Sequence, residues 1–260
     1  MNRIDQKFND LRKTHKKAFI AFITAGYPSL KTTQRLVLEF ARSGVDILEL
    51  GVPFSDPMAD GPVIQEASQE ALKKNTRLID ILNLVKKARK RVQMPICLMT
   101  YYNPVFCFGE REFIRKAKQC GVDGVIIPDL PPEEAGEFIK SLNKAGLDII
   151  CFLSPTSTTE RIKFISGVSR GFIYYVSLTG VTGARQGLSL DLKNNIKRIK
   201  RYTNKPVCVG FGVSNRNQVK KINRFADGVI VGSVIVRKIK ENRTKADLVK
   251  KVANFVKGLK

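Results

Sequence analysis

Residues 49 to 62 read ELGVPFSDPMADGP, placing three carboxylates, Glu49, Asp56 and Asp60, among Gly51, Gly61 and three prolines. The apolar run VDILEL (45–50) leads straight into this stretch. If the run is a strand, successive side chains point to opposite faces. Leu48, Leu50 and Val52 then share one apolar face, suited to packing under helices, and Ile47, Glu49 and Gly51 share the other. Glu49 therefore points to the interior, near the strand's C-terminal end. A carboxylate there is costly unless it is paired or functional. Desolvation raises its pKa, which suits a group that must give and take a proton near neutrality. The structural alternative is a salt bridge to a buried Lys or Arg, but the interiors of the strands read below offer none. Asp56 and Asp60 lie on a loop restricted by Pro53, Pro57 and Pro62, with Gly61 allowing a tight turn. Each could face a pocket or cap a turn, and residue type alone does not separate them.

A second chemistry is anion binding. GFGVS (210–214) supplies Gly210 and Gly212. Gly232 and Ser233 precede the helical run VIVRKIK, so their N–H groups would stand at a helix N-terminus, where anions bind. TGVTGARQG (179–187) adds Gly180, Gly183 and Gly187. Three glycine-rich loops at neighbouring strand ends predict a phosphorylated ligand. Other chemistries are disfavoured. The single histidine, His15, falls in a basic N-terminal helix, which argues against a Ser-His-Asp mechanism. Five cysteines without a CxxC pair leave no metal-ligand set and read as buried, reduced thiols.

The elements that must position these groups are legible. Strands are predicted at 18–26, 46–52, 95–101, 124–130, 148–154, 172–178, 206–212 and 228–233, mostly continuous apolar runs suited to a sheet covered on both faces. Helical stretches alternate with them. Ser29 is a candidate N-cap for 30–44, prolines and acids open 131–146, and STTE (157–160) has the form of a capping box. RSGVDI, QCGVDG and KAGLDI each close a helix with glycine and enter a strand. Repeated units over 260 residues predict one domain, residues 1–260: an α/β (β/α)8 barrel with an extra N-terminal helix. In that fold the strand C-termini carry the active site, which is where Glu49 lies. An open doubly wound sheet is the runner-up, weakened by the lack of GxGxxG after the first strand. No run is long and apolar enough to span a membrane, and the charged N-terminus is neither a secretory signal nor a transit peptide. The net charge of +23 raises the question of nucleic acid. In 78–92, however, Lys86, Lys87, Arg89 and Lys90 fall between apolar positions at helical spacing, without interleaved aromatics to stack bases. That pattern reads as a solvated helix face and predicts no nucleic-acid partner.

ELGVPFSDPMADGP is similar to the signature of the tryptophan synthase α subunit family. PICLMTYYNPV (95–105), GVIIPDLPPEEA (124–135), YVSLTGVTGAR (175–185) and GFGVS follow in the family's order, so the resemblance spans the chain. It implies retro-aldol cleavage of indole-3-glycerol phosphate to indole and glyceraldehyde 3-phosphate, in tryptophan biosynthesis. It implies Glu49 as the acid/base and Asp60, rather than Asp56, as the acceptor of the indole N–H. By the same matching, Phe22 and Tyr102 would line the indole pocket and Tyr174 would lie near the bond that breaks. Thr182 and Gly183 would belong to a closing loop, and Gly183, Gly212, Gly232 and Ser233 would hold the phosphate beside Phe211. Thr100 stands where some members have Leu, and Met58 where Leu is common.

The resemblance also implies a partner. The family docks onto a β subunit that carries pyridoxal phosphate, in an α2β2 tetramer, so no cofactor is expected on this chain. Pro53, Asp56, Pro57, Phe106 and Phe108 are the expected docking residues, since a loop (101–109) bearing Tyr101, Phe106 and Phe108 as exposed rings suits an interface. The alternative is that these rings pack beneath the loop. YVSLTGVTGAR most resembles cyanobacterial and plastid members, which implies the cytoplasm or the plastid stroma. Two other functions remain in view. A related ring-forming barrel synthase would need an interior lysine, which the strands lack. A basic scaffold or RNA-binding barrel without catalysis would have no use for Glu49 and Asp60.

Overall fold

The computed structural model describes residues 1–176, 187–210 and 212–260, with the side chains of 187–190 left out. It begins with α1 (Arg3–Lys13), then runs β1 (Ala18–Thr24), α2 (Leu30–Arg42), β2 (Ile47–Gly51), α3 (Pro62–Leu72), α4 (Leu78–Arg89), β3 (Ile96–Met99), α5 (Tyr102–Phe108), α6 (Glu110–Cys120) and β4 (Gly124–Ile126). It continues with α7 (Gly136–Ala145), β5 (Asp148–Leu153), α8 (Thr159–Val168), β6 (Ile173–Val176), α9 (Gly187–Lys200), β7 (Val207–Gly210), α10 (Arg216–Ile222), β8 (Gly228–Val231), α11 (Ser233–Glu241) and α12 (Leu248–Leu259). Each strand pairs in parallel with the next, and β8 closes on β1 with Ala18 opposite Gly228. The architecture is a (β/α)8 barrel.

Two apolar clusters follow from strand parity. Outward residues such as Ala21, Ile23, Leu48 and Leu50 pack under the helices. Inward residues, including Ile20, Ile47, Cys97, Ile126, Ile150 and Ile230, fill the barrel. Ile4, Phe8 and Leu11 of α1, spaced for one helix face, join the inward set. The extra helix thus plugs the N-terminal end, with Phe8 and Phe172 centroids 5.8 Å apart. Asn2 caps α1 through the Ile4 N–H and donates to the Asp123 carbonyl at 2.7 Å. A floor built this way leaves the other end, with the strand C-termini, free for chemistry.

Several local expectations shift. β4 is much shorter than its apolar run, Gly124–Ile126 against 124–130, because the chain leaves the ladder for a turn at Pro128. Residues 131–135 form turns, and α7 begins only at Gly136. Thr158, not Ser157, caps α8 by accepting the Arg161 N–H. His15 lies beyond α1, where the chain leaves the helix at φ 53°. Cys107 is exposed on α5, whereas Cys97, Cys120, Cys151 and Cys208 are buried as expected. Arg89 is only 9% exposed and pairs with the buried Asp123, which Arg3 also reaches at 2.9 Å, so it does not belong to a solvated face. The repeated joint holds: Gly44, Gly121 and Gly146 have φ between 71° and 84°.

Candidate active site

β2 delivers Glu49 as parity requires. The residue is 0% exposed, level with Phe22 on β1 and Cys97 on β3. Neither carboxylate oxygen has a hydrogen-bond partner among the described residues. Burial alone pushes its pKa from 4.5 up to about 8. Glu49 thus holds its proton at neutrality while remaining able to release it, the condition for acid and then base catalysis.

Tyr174 enters the same space from β6. Its ring lies 4.9 Å from Phe152, and its phenol is pushed well above the usual range, first by desolvation and then by the charges of Glu49 and Asp60. Gly210 makes room for it, since a Cβ there would stand 2.5 Å from the Tyr174 hydroxyl. Phe22 is accommodated similarly: a Cβ on Gly51 would lie 2.6 Å from its ring, and one on Gly232 would lie 3.3 Å away. Phe22 therefore spans the space between β2 and the end of β8.

The loop after β2 separates the two aspartates. Asp60 is largely withdrawn from solvent, and burial pushes its pKa up to about 6 against the opposing pull of a hydrogen bond from Tyr101. The Tyr101 hydroxyl donates to Asp60 Oδ2 at 3.1 Å, and Gln65 Nε2 donates to the Asp60 carbonyl at 2.9 Å. Asp56 is exposed, and its carboxylate accepts from the adjacent Ser55 hydroxyl. Gly61 does not use glycine's freedom as expected, because it is extended at φ −77° and serves as N-cap of α3, with Pro62 in the first turn.

Two strands from β2 around the barrel, Gly232 is the N-cap of α11 and Ser233 its first residue. The first N–H groups of a helix have no acceptor within it. Gly212 adopts φ 76°. Thr182, Gly183 and Phe211 lie outside the described residues. Tyr102 is not directed at Glu49 by its visible contacts. Its hydroxyl donates to Glu110 at 2.7 Å and its ring packs on Phe106 and Phe138.

Of the expected docking residues, Phe106 is 65% exposed and Asp56 exposed, while Pro57 and Phe108 are half-buried. Pro53 is buried and stiffens the loop without offering a face. The segment after β3 is helix α5 rather than a loop. Tyr101, read from sequence as an interface ring, packs beneath the loop at 4% exposure. Its true place was legible in the strand: Cys97, Met99 and Tyr101 share one parity, the inward one.

Fold and site together define a (β/α)8 barrel with one carboxyl group, Glu49, buried inside it and a second, hydrogen-bonded one, Asp60, on the loop above. The model of the tryptophan synthase alpha chain family matches residues 8–260. A tryptophan synthase alpha chain of Geobacter sulfurreducens is 49% identical, covering 100% of this chain and 98% of its own length, and one of Thermoanaerobacter sp. is 45% identical, with 100% and 99% covered. The crystal structure of tryptophan synthase subunit alpha from Legionella pneumophila superposes with a TM-score of 0.93 at 38% identity, covering 100% of this chain and 97% of that one. The chain belongs to the tryptophan synthase alpha chain family, lyases of tryptophan biosynthesis that cleave indole-3-glycerol phosphate and act with a beta subunit. Among the described residues, no helix is long and apolar enough to cross a membrane.

Proposed function

We propose that Glu49 and Asp60 carry the cleavage of indole-3-glycerol phosphate at the mouth of this barrel. The observation that carries the reading is Glu49, buried, without a hydrogen-bond partner among the described residues, and raised to about 8. Asp60, as carboxylate, accepts the indole N–H and stabilises the positive charge that builds on the ring nitrogen. Protonated Glu49 delivers its proton to the ring carbon bearing the side chain, giving an indolenine. The resulting carboxylate then takes the proton of the glycerol hydroxyl next to that carbon. As this hydroxyl becomes a carbonyl, the C–C bond breaks, its electrons restore the indole, and glyceraldehyde 3-phosphate leaves. Glu49 is regenerated in its protonated form.

Phe22 lines the indole space in this reading, with Tyr174 near the breaking bond; Tyr102, turned to Glu110, Phe106 and Phe138, is left out of it. Gly183, Gly212, Gly232 and Ser233 hold the phosphate beside Phe211, mainly through N–H groups, and Thr182 and Gly183 close over it. The chain needs no cofactor of its own. Indole is small and apolar, so release into water wastes it. The mouth, with Asp56, Pro57, Phe106 and Phe108, docks a β subunit that binds pyridoxal phosphate, in an α2β2 tetramer. The setting is the cytoplasm, or the plastid stroma for an organelle-encoded chain.

The test is indole release from indole-3-glycerol phosphate by the purified chain, with and without its β partner, alongside gel filtration of the mixture. Glu49→Gln is expected to lose at least roughly 100-fold in turnover while staying folded, the minimum for a general acid–base group. Retention of more than a few per cent of turnover would remove Glu49 from this role. Separate elution of the subunits with unchanged turnover would remove the docking reading.

A further inference from the structure

Four contacts meet at Tyr101. Its ring stacks on Phe54, centroids 5.2 Å apart and planes 29° from parallel. Its hydroxyl accepts the Ala59 N–H at 2.9 Å while donating to Asp60 Oδ2 at 3.1 Å. Its own carbonyl accepts from the Thr100 hydroxyl at 3.0 Å, tying it to the end of β3. One barrel-anchored hydroxyl thus holds both the backbone of the β2–α3 loop and the carboxylate that the loop carries.

We propose that Tyr101 is a positioning residue for the lyase reaction, fixing the direction of the Asp60 carboxylate and stabilising its charged form. The inference rests on Asp60 being the acceptor of the substrate's N–H. Burial works against an ionised Asp60, and the Tyr101 hydrogen bond works for it. The other ionisable groups around the pair are Tyr174 from β6, which feels both Asp60 and Glu49, and Asp129 after β4, whose charge acts on Tyr101. Burial and the Asp60 charge push the Tyr101 phenol well above its usual range, so it remains a donor wherever the enzyme works. Without its hydroxyl, Asp60 would keep its backbone bonds to Gln65 and Pro57, but its carboxylate would lose the Tyr101 donor and would ionise later.

Tyr101→Phe keeps the stacked ring and removes only the hydroxyl, and Tyr101→Leu removes both. Thermal unfolding of each reports folding separately from catalysis. Tyr101→Phe is expected to melt near wild type and to lose about tenfold in kcat with a smaller change in KM, since a hydrogen bond to a charged group is lost. The acid limb of its kcat/KM profile is expected to move up by about one pH unit. In an Asp60→Asn background the same change is expected to cost little more, because residues acting through one group are not additive. An unmoved acid limb, or a loss that adds in full to that of Asp60→Asn, would overturn the proposal and leave Tyr101 as packing. Wild-type turnover in Asp60→Asn alone would overturn the reading of Asp60, and the role of Tyr101 with it.

Discussion

Glu49→Gln should make the protein more stable, by an amount that depends on pH. The folded chain keeps the Glu49 proton up to about 8, whereas the unfolded chain releases it near 4.5. Between those values the unfolded state binds fewer protons than the folded one, so the stability of the wild-type chain falls as pH rises through this window. Below 4.5 both states are protonated and the site costs nothing. Each pH unit above it costs about 1.4 kcal/mol, reaching about 3 kcal/mol at pH 7 and levelling off above the folded value. Glutamine cannot ionise and carries no such cost. It replaces a neutral acid of the same size whose oxygens are already without partners. Asp148, inward-facing on β5, is also pushed up, to about 7, first by burial and then by Asp5. It does so in both proteins and cancels in the comparison. Urea unfolding of wild type and variant from pH 5 to pH 8 measures the difference. The expected advantage of the variant is under about 1 kcal/mol at pH 5 and about 3 kcal/mol at pH 7. A difference that does not change with pH would refute late ionisation of Glu49.

Asp60→Asn should cripple indole release, while Asp56→Asn, on the exposed part of the loop, should stay within a few-fold of wild type; equal losses would undo the assignment. Gly232→Val should press on Phe22 and Gly212→Val should strain a backbone at φ 76°, so both should weaken glycerol phosphate binding by calorimetry; unchanged affinity in both would refute the anion site. Binding of RNA should be weak and fall steeply with salt, as counterion release requires; tight, sequence-selective binding at physiological salt would revive a scaffold role.

The barrel was legible because its signals are local and repeated: apolar runs of strand length, helical stretches between them, and the glycine joints at 44, 121 and 146. Glu49 was legible because period-two alternation leaves one acid among apolar neighbours. Tyr101 was not recognised, although parity placed it, because a ring followed by Tyr102 and an aromatic helix reads as surface until the helix is seen to start at Tyr102. Asp56 and Asp60 were inseparable by type, since what distinguishes them is a hydroxyl 41 residues away in sequence. Arg89 looked like one more cation on a basic face, and only the return of Asp123 beneath it shows a buried pair.

The central claim is a protonated Glu49 working with an ionised Asp60, and the pH dependence of kcat/KM for indole release tests it most directly. Asp60 must lose its proton, near 6, and Glu49 must keep its own, up to about 8. Activity should therefore rise through about 6 and fall through about 8, a bell between the two groups. A profile still rising above pH 9, or one whose alkaline limb persists in residual Glu49→Gln activity, would contradict the account.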